Sequence, residues 1–189
     1  MKTPRILHVD GDNFFASCEE ILSPALRGRV LIVAGGRRQN GIVLSASRRA
    51  KAFGIKSGMA VFAARLLCGE LVVCPARPDA YKIISARMFA VMNRFSPLVV
   101  PVSIDEGYLD LSAEADGAAC WHELSAAVSR EVGLALSGGL ANSRWAAKLS
   151  TDAGKPGFLE IAAVEEEEVV DDDAFFLQRG GEGWGGAGG

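Results

Sequence analysis

The chain has 189 residues, 49% of them hydrophobic and 23% charged, with a formal net charge of −3. That balance excludes a disordered or fibrous polymer and allows one domain, or one domain with an inserted subdomain. No apolar run reaches the ~18 residues of a membrane span, and the acids Asp10 and Asp12 arrive too early for a signal peptide. The cysteines Cys18, Cys68, Cys74 and Cys120 form no C-x-x-C pair. This argues against zinc and for reduced thiols in a cytoplasmic protein.

Charge is segregated along the chain. Residues 165–189 carry eight acids and one base, which leaves 19 bases against 15 acids in residues 1–164. Segment 14–79 holds ten Lys or Arg against Glu19, Glu20, Glu70 and Asp79. A basic segment of this kind suits a polyanionic ligand as well as an ordinary solvated surface.

In chain order, 5–10 (RILHVD) predicts a strand ending on an acid, and 14–22 (FFASCEEIL) a helix closed by Ser23-Pro24. Strands follow at 30–34 and 42–46 around a GGRRQNG turn, then helices at 47–53 and 60–68 and a strand at 71–75. A long amphipathic helix is expected over 79–95, capped by Asp79 or the turn before it. Strands at 98–104 and 107–111 flank Asp105-Glu106, followed by a helix at 120–132, a strand at 134–141, a helix at 142–153 and a last strand at 158–163. This order predicts an α+β fold. A palm-type mixed or antiparallel sheet carries helices on one face, with an insertion at about 14–79. Past 164, an acidic run and FFLQRGGEGWGGAGG predict a weakly ordered tail.

The acids are the chemically informative residues. Asp10 and Asp12, two apart, share one side of an extended backbone; Asp12 also suits a helix N-cap. Asp105 and Glu106 lie between apolar strands. Carboxylates converging at strand ends repel one another until a cation neutralises them. Oxygen ligands without His or Cys favour Mg²⁺ or Mn²⁺, and such a site suits two-metal phosphoryl chemistry. An isolated Asp-Glu pair belongs more often to a solvated turn, and position on neighbouring strands is what lifts this one.

Five blocks carry a family likeness: HVDGDNFFASCEE, GIVLSASRRAKAFGIKSGM, DAYKIISA, VSIDEGYLDLS and GLANSRWAAKLSTDAGKPG. In order and spacing they resemble the Y-family, or DinB-like, translesion DNA polymerases over about residues 5–160. The resemblance implies a palm (1–13 and 80–164), fingers (14–79) and, in 165–189, the approach to a thumb. It implies error-prone DNA-directed DNA synthesis from dNTPs on primer–template DNA. Asp10, Asp105 and Glu106 would be the catalytic carboxylates holding two Mg²⁺ (or Mn²⁺) ions, with the Gly11 carbonyl as a further ligand. Phe15 would be the steric gate against a ribose 2′-hydroxyl. Asn13, Phe14 and Phe15, at the opening of a helix, together with Ser45, Arg48, Lys51 and Lys155, would bind the nucleotide. Gly41, Ile42 and Val43 would form the floor against the templating base.

Three departures accompany the likeness. Arg48 and Lys51 stand where the family has Tyr and Arg, keeping positive charge but losing a hydroxyl and a guanidinium fork. Gly107 stands where the family prefers Ala. The family's thumb and little-finger domains, and any sliding-clamp contact made through such C-terminal regions, would follow the residues present. The chain alone is therefore expected to hold primer–template weakly. Two other functions compete: a non-catalytic, polymerase-like accessory protein in DNA repair, and another palm-type enzyme such as a nucleotide cyclase. The insertion between Asp10 and Asp105 and the Phe14-Phe15 pair favour the polymerase over the cyclase.

Overall fold

A computed structural model describes residues 5–36 and 41–161. The expected turn across 35–41 lies mostly outside the described residues, and the tail 165–189 wholly so. Along the chain run β1 (Ile6–Gly11), α1 (Phe14–Leu22), a 3-10 turn (Pro24–Leu26), β2 (Leu31–Gly35), β3 (Ile42–Ala46), α2 (Arg48–Ala52) and α3 (Val61–Leu67). They are followed by β4 (Val72–Pro75), α4 (Pro78–Met92), β5 (Val99–Pro101), β6 (Glu106–Asp110), α5 (Gly117–Glu131), β7 (Leu136–Ala141), α6 (Arg144–Gly154) and β8 (Phe158–Glu160). The chain divides into two compact units, Met1–Gly11 with Arg87–Gly189, and Asp12–Ala86. Helix α4 runs through the division.

The first unit is built on a five-stranded sheet in the order β5-β6-β1-β7-β8. All neighbours are antiparallel except β7 and β8. Side chains alternate between faces, and the register assigns them. Leu7 pairs with Leu109 and Leu140, and Val9 with Gly107 and Gly138, so these share one face. His8 pairs with Tyr108 and Gly139, and Asp10 with Glu106 and Ser137, on the other. A Cβ at Gly107 would meet Phe89 of α4, one at Gly138 would meet Trp121 of α5, and one at Gly139 would meet Ala147, Ser150 and Thr151 of α6. Helices α4 and α5 therefore cover one face, as expected, while α6 lies across the other, the face that carries the acids. Ile6, Val100, Tyr108, Ala141, Ala146 and Ala147 pack as a core on that side. Helices on both sides explain why β1 and β7 read as nearly continuous apolar or glycine runs.

The second unit holds the three-stranded sheet β3-β2-β4, antiparallel between β2 and β3 and parallel between β2 and β4. Its core gathers Ile32, Val43, Ala46, Ala50, Ile55 and Val61. Strand β3 alternates: Ile42 and Leu44 are exposed and Val43 is buried. This corrects the expected template-base floor of Gly41, Ile42 and Val43. Val43 faces the core, and the outward pair is Ile42 with Leu44. Helix α2 is only five residues long and is capped by Ser47, whose hydroxyl accepts from Ala50 N at 3.2 Å.

Several boundaries differ from expectation for local reasons. Helix α4 starts at Pro78, with Asp79 in its first turn and not as its cap, and it ends at Met92. Helix α5 starts early because Asp116 caps it through Ala119 N at 2.9 Å. Strand β5 ends at Pro101, so Asp105 sits in a turn and Glu106 opens β6. No helix among the described residues is long and apolar enough to cross a membrane.

Candidate active site

The first unit holds the three predicted carboxylates, together with Gly11 and Lys155. Asp10 lies near the end of β1, directly opposite Glu106. Asp105 is fixed one residue earlier by a serine turn: Ser103 Oγ donates to Asp105 Oδ1 at 2.6 Å and accepts from the backbone N–H of Asp105 and of Glu106 at 3.3 and 3.2 Å. Gly11 N then donates to the Asp105 carbonyl at 2.8 Å, tying the turn to the end of β1. The tight path beyond Glu106 depends on Gly107. A Cβ there would lie 2.8 Å from Phe89 Cε1 and 2.9 Å from the Val100 carbonyl oxygen. Glycine is thus a packing requirement here rather than a tolerated loss of rigidity.

Helix α6, through Lys148, and the extended residue that caps its C-terminus, Lys155, present two ammonium groups to these acids. Lys155 Nζ donates to Asp10 Oδ2 at 2.7 Å and lies 3.5 Å from Asp152 Oδ1. Lys148 Nζ donates to Glu106 Oε2 at 2.8 Å. Burial pushes the Asp10 carboxyl above its ordinary value; Lys155 opposes the shift, and the charges of Asp105 and Glu106 add to it. Burial is the largest influence on both lysines and acts to lower them, but the bonds to Asp10 and Glu106 together with the charges of these acids and of Asp152 hold Lys155 and Lys148 above their ordinary values.

Behind the acids lies His8, fully buried. Its Nδ1 is 2.9 Å from Thr151 Oγ1, and that hydroxyl donates to the Ala147 carbonyl at 3.0 Å. The other ring nitrogen, Nε2, has no hydrogen-bond partner and lies 3.6 Å from Glu106 Oε2. Burial foremost, then the charge of Lys148, lowers His8 to about 4, so the ring is neutral near pH 7.

Asp10, Asp105, Glu106 and the Gly11 carbonyl offer hard oxygens, the ligand type that suits a divalent cation such as Mg²⁺ or Mn²⁺. The mutual repulsion registered at Asp10 is the electrostatic condition under which a cation binds well. Each acid nevertheless has its own partner: Lys155, Ser103 or Lys148. Among the described residues, no three His, Cys, Asp or Glu side chains are gathered as a ready metal cluster. A cation at this position has to compete with two ammonium groups.

The second unit carries the other predicted residues. Strand β1 ends at Gly11, so the alternation expected to align Asp10 with Asp12 stops before Asp12. Nor is Asp12 the cap of α1. That position belongs to Asn13, in a left-handed conformation (φ 51°) without a side-chain cap bond. The Asp12 carbonyl instead accepts from Ser17 Oγ at 2.8 Å. The Phe14-Phe15 pair resolves into two roles: Phe14 is core, while Phe15 is half-buried and stacks on Tyr81 with ring centroids 4.9 Å apart. The Ser45 hydroxyl accepts from Ala16 N in the first turn of α1 at 3.3 Å. Arg48 and Lys51 are exposed on α2.

Lys148, His8, Thr151, Glu19, Arg77 and Tyr81 escaped the sequence reading. One signal was available: Lys148 and Asp152 fall at i and i+4, one face of α6, with Lys155 just beyond its end. A lone histidine in an apolar strand carries no comparable pattern.

The impB/mucB/samB family model (IMS) matches residues 9–152. The chain is similar to DNA polymerase IV of Gluconobacter oxydans (strain 621H), 39% identical over 160 residues that cover 82% of this chain and 45% of that protein. It is also similar to DNA polymerase IV of Desulfatibacillum aliphaticivorans, 37% identical over 165 residues, 85% of this chain and 41% of that protein. Among solved structures it resembles an insertion ternary complex of Dbh DNA polymerase (TM-score 0.77, 28% identity, 83% of this chain and 48% of that one). It likewise resembles DinB from Sulfolobus solfataricus (TM-score 0.77, 27% identity, 84% and 48%). The chain thus spans about half the length of the relatives it matches.

Proposed function

The chain belongs to the impB/mucB/samB family of Y-family polymerases, and on that premise we propose that it is the palm and fingers of a translesion DNA polymerase. It would extend a primer 3′-hydroxyl on a DNA template from dNTPs, in a cytoplasmic setting, with any sliding-clamp contact made elsewhere in a longer protein. The observation that carries this reading is the pairing of Asp10 with Glu106 across neighbouring strands, with Asp105 tied alongside and two lysines facing the acids.

Asp10, Asp105, Glu106 and the Gly11 carbonyl would hold two divalent ions, Mg²⁺ or Mn²⁺. When bound, these ions supply activation of the attacking hydroxyl and charge neutralisation on the triphosphate. Asp10 and Glu106 are bonded here to Lys155 and Lys148, and would hold a metal only in exchange for those ammonium partners. Lys155 would then be a point charge available to phosphate oxygens. The backbone N–H groups opening α1 at Asn13, Phe14 and Phe15 offer an anion site free of a competing side-chain cap. Arg48 and Lys51 add positive charge on α2, Ser45 steadies the first turn of α1, and Phe15 excludes a ribose 2′-hydroxyl.

The non-catalytic accessory reading draws on the lysine-occupied acids and the altered fingers cations. Primer extension with Mg²⁺ or Mn²⁺ separates the two. The polymerase reading expects template-directed addition that Asp105→Ala abolishes. Activity that survives Asp105→Ala would sink the carboxylate assignment, and no addition under either ion would favour the accessory protein.

A further inference from the structure

Helix α1 carries a buried charge that the reaction does not use. Glu19 is 3% exposed, and an unpaired carboxylate at such a depth is expensive. Here its oxygens are claimed by two partners. Arg77 forks onto it, through Nε to Oε1 at 3.0 Å and through Nη2 to Oε2, and the Tyr81 hydroxyl donates to Oε1 at 2.6 Å. The Arg77 carbonyl in turn accepts from Tyr81 N at 3.1 Å, so the three residues close a ring of contacts. Burial first, then the bond to Glu19, raises the Tyr81 phenol, which therefore stays protonated and donating.

Phe15 and Glu19 are one helical turn apart on α1, at i and i+4, and so share a face. Tyr81 spans that turn. Its ring stacks on Phe15 at an interplanar angle of 19°, and its hydroxyl reaches Glu19. The phenol is buried on every side (1% exposed), whereas Phe15 is only half-buried. The plane of the Phe15 ring is therefore set from beneath by a tyrosine that cannot slide, because its far end is pinned by a charge-assisted bond.

We propose that Glu19, Arg77 and Tyr81 are positioning residues for sugar selection. The buried ion pair locks Tyr81, and Tyr81 locks the ring of Phe15 in its gating orientation. This rests on the reading of Phe15 as the gate. A gate discriminates by steric clash, so its selectivity depends on how little it can yield, and a ring free to tilt admits the larger sugar. A network that merely stabilised the fold would lower use of both sugars equally.

The test has two arms on the full chain. In the first, NMR follows the Phe15 ring protons, which sit in the ring current of Tyr81. Tyr81→Phe, Glu19→Gln and Arg77→Lys should each shift or broaden them, and unchanged signals in all three overturn the proposal whatever the activity. In the second, primer extension gives the ratio of kcat/KM for a dNTP to that for the matching ribonucleotide. Phe15→Ala should collapse the ratio, and Glu19→Gln, Tyr81→Phe and Arg77→Lys should each lower it by roughly threefold or more. Arg77→Lys is the mildest of these, since it keeps the charge and loses only the fork, and it serves if Glu19→Gln does not fold. A ratio that falls with Phe15→Ala but holds in the three network variants overturns the positioning role alone. A ratio unmoved by Phe15→Ala overturns the gate and the network together.

Discussion

Gly107 connects packing to the acids, and substituting it gives the sharpest structural prediction. In Gly107→Ala the new methyl would sit 2.8 Å from Phe89 Cε1, 2.9 Å from the Val100 carbonyl oxygen and 3.3 Å from Pro101 Cα. The phenyl edge can swing aside, but the carbonyl belongs to the paired strand β5, so relief there requires the β5–β6 ladder to open. Overpacking of this kind costs about 1–3 kcal/mol, and alanine recovers about 0.4–1 kcal/mol by restricting the unfolded chain. The net expectation is a loss of about 1–2 kcal/mol. With a urea slope of about 2 kcal/mol per molar, the midpoint falls by roughly 0.5–1 M. Trp121, buried in the same unit, provides the fluorescence signal. Adding Phe89→Leu should restore part of the loss and not all, since the carbonyl contact remains. A midpoint equal to or above that of the parent would refute the close packing next to Glu106.

Two further outcomes follow from the lysines and the histidine. His8 is held down to about 4 in the fold, foremost by burial, so the folded chain binds fewer protons there than the unfolded chain does. Its contribution is intact above about pH 6.5 and is lost as pH falls toward 4, which amounts to ~2 kcal/mol between pH 7 and 5. His8→Asn should flatten that part of the stability slope, read from urea midpoints at several pH values; parallel slopes would contradict the buried neutral ring. Lys148→Met removes an ammonium that competes for Glu106, in a half-exposed pair worth about 1 kcal/mol. Mn²⁺ should then bind roughly fivefold more tightly in an electron paramagnetic resonance titration, and weaker binding would show that Lys148 assists the cation.

Much of this fold is legible residue by residue. The helix at 14–22 and the strand at 42–46 coincide with α1 and β3 because each has one clear period and clear punctuation. Errors arise where a side chain, not a period, sets the boundary. Asp116 caps α5 ahead of the apolar stretch, and Ser103 bends the chain before Asp105 so that β5 stops early. The second helix-covered face of the sheet is hidden for a related reason. Glycines at 138 and 139 record close approach on both sides, but a sequence does not say by what. At the site, the acids announce themselves by sitting at strand ends. Lys148, the partner of Glu106, does not, because a lysine on an amphipathic helix ordinarily faces water. The network beneath Phe15 is more remote still, joining Glu19 to residues 58 and 62 positions away.

The central claim is that Asp10, Asp105 and Glu106 form one cation-binding centre for nucleotidyl transfer. Counting Mn²⁺ bound to the chain in the presence of a non-hydrolysable dNTP tests it most directly. Two ions per chain are expected, and Asp105→Ala should lose at least one of them. No bound Mn²⁺, or binding that Asp105→Ala leaves unaltered in number and affinity, would contradict the account.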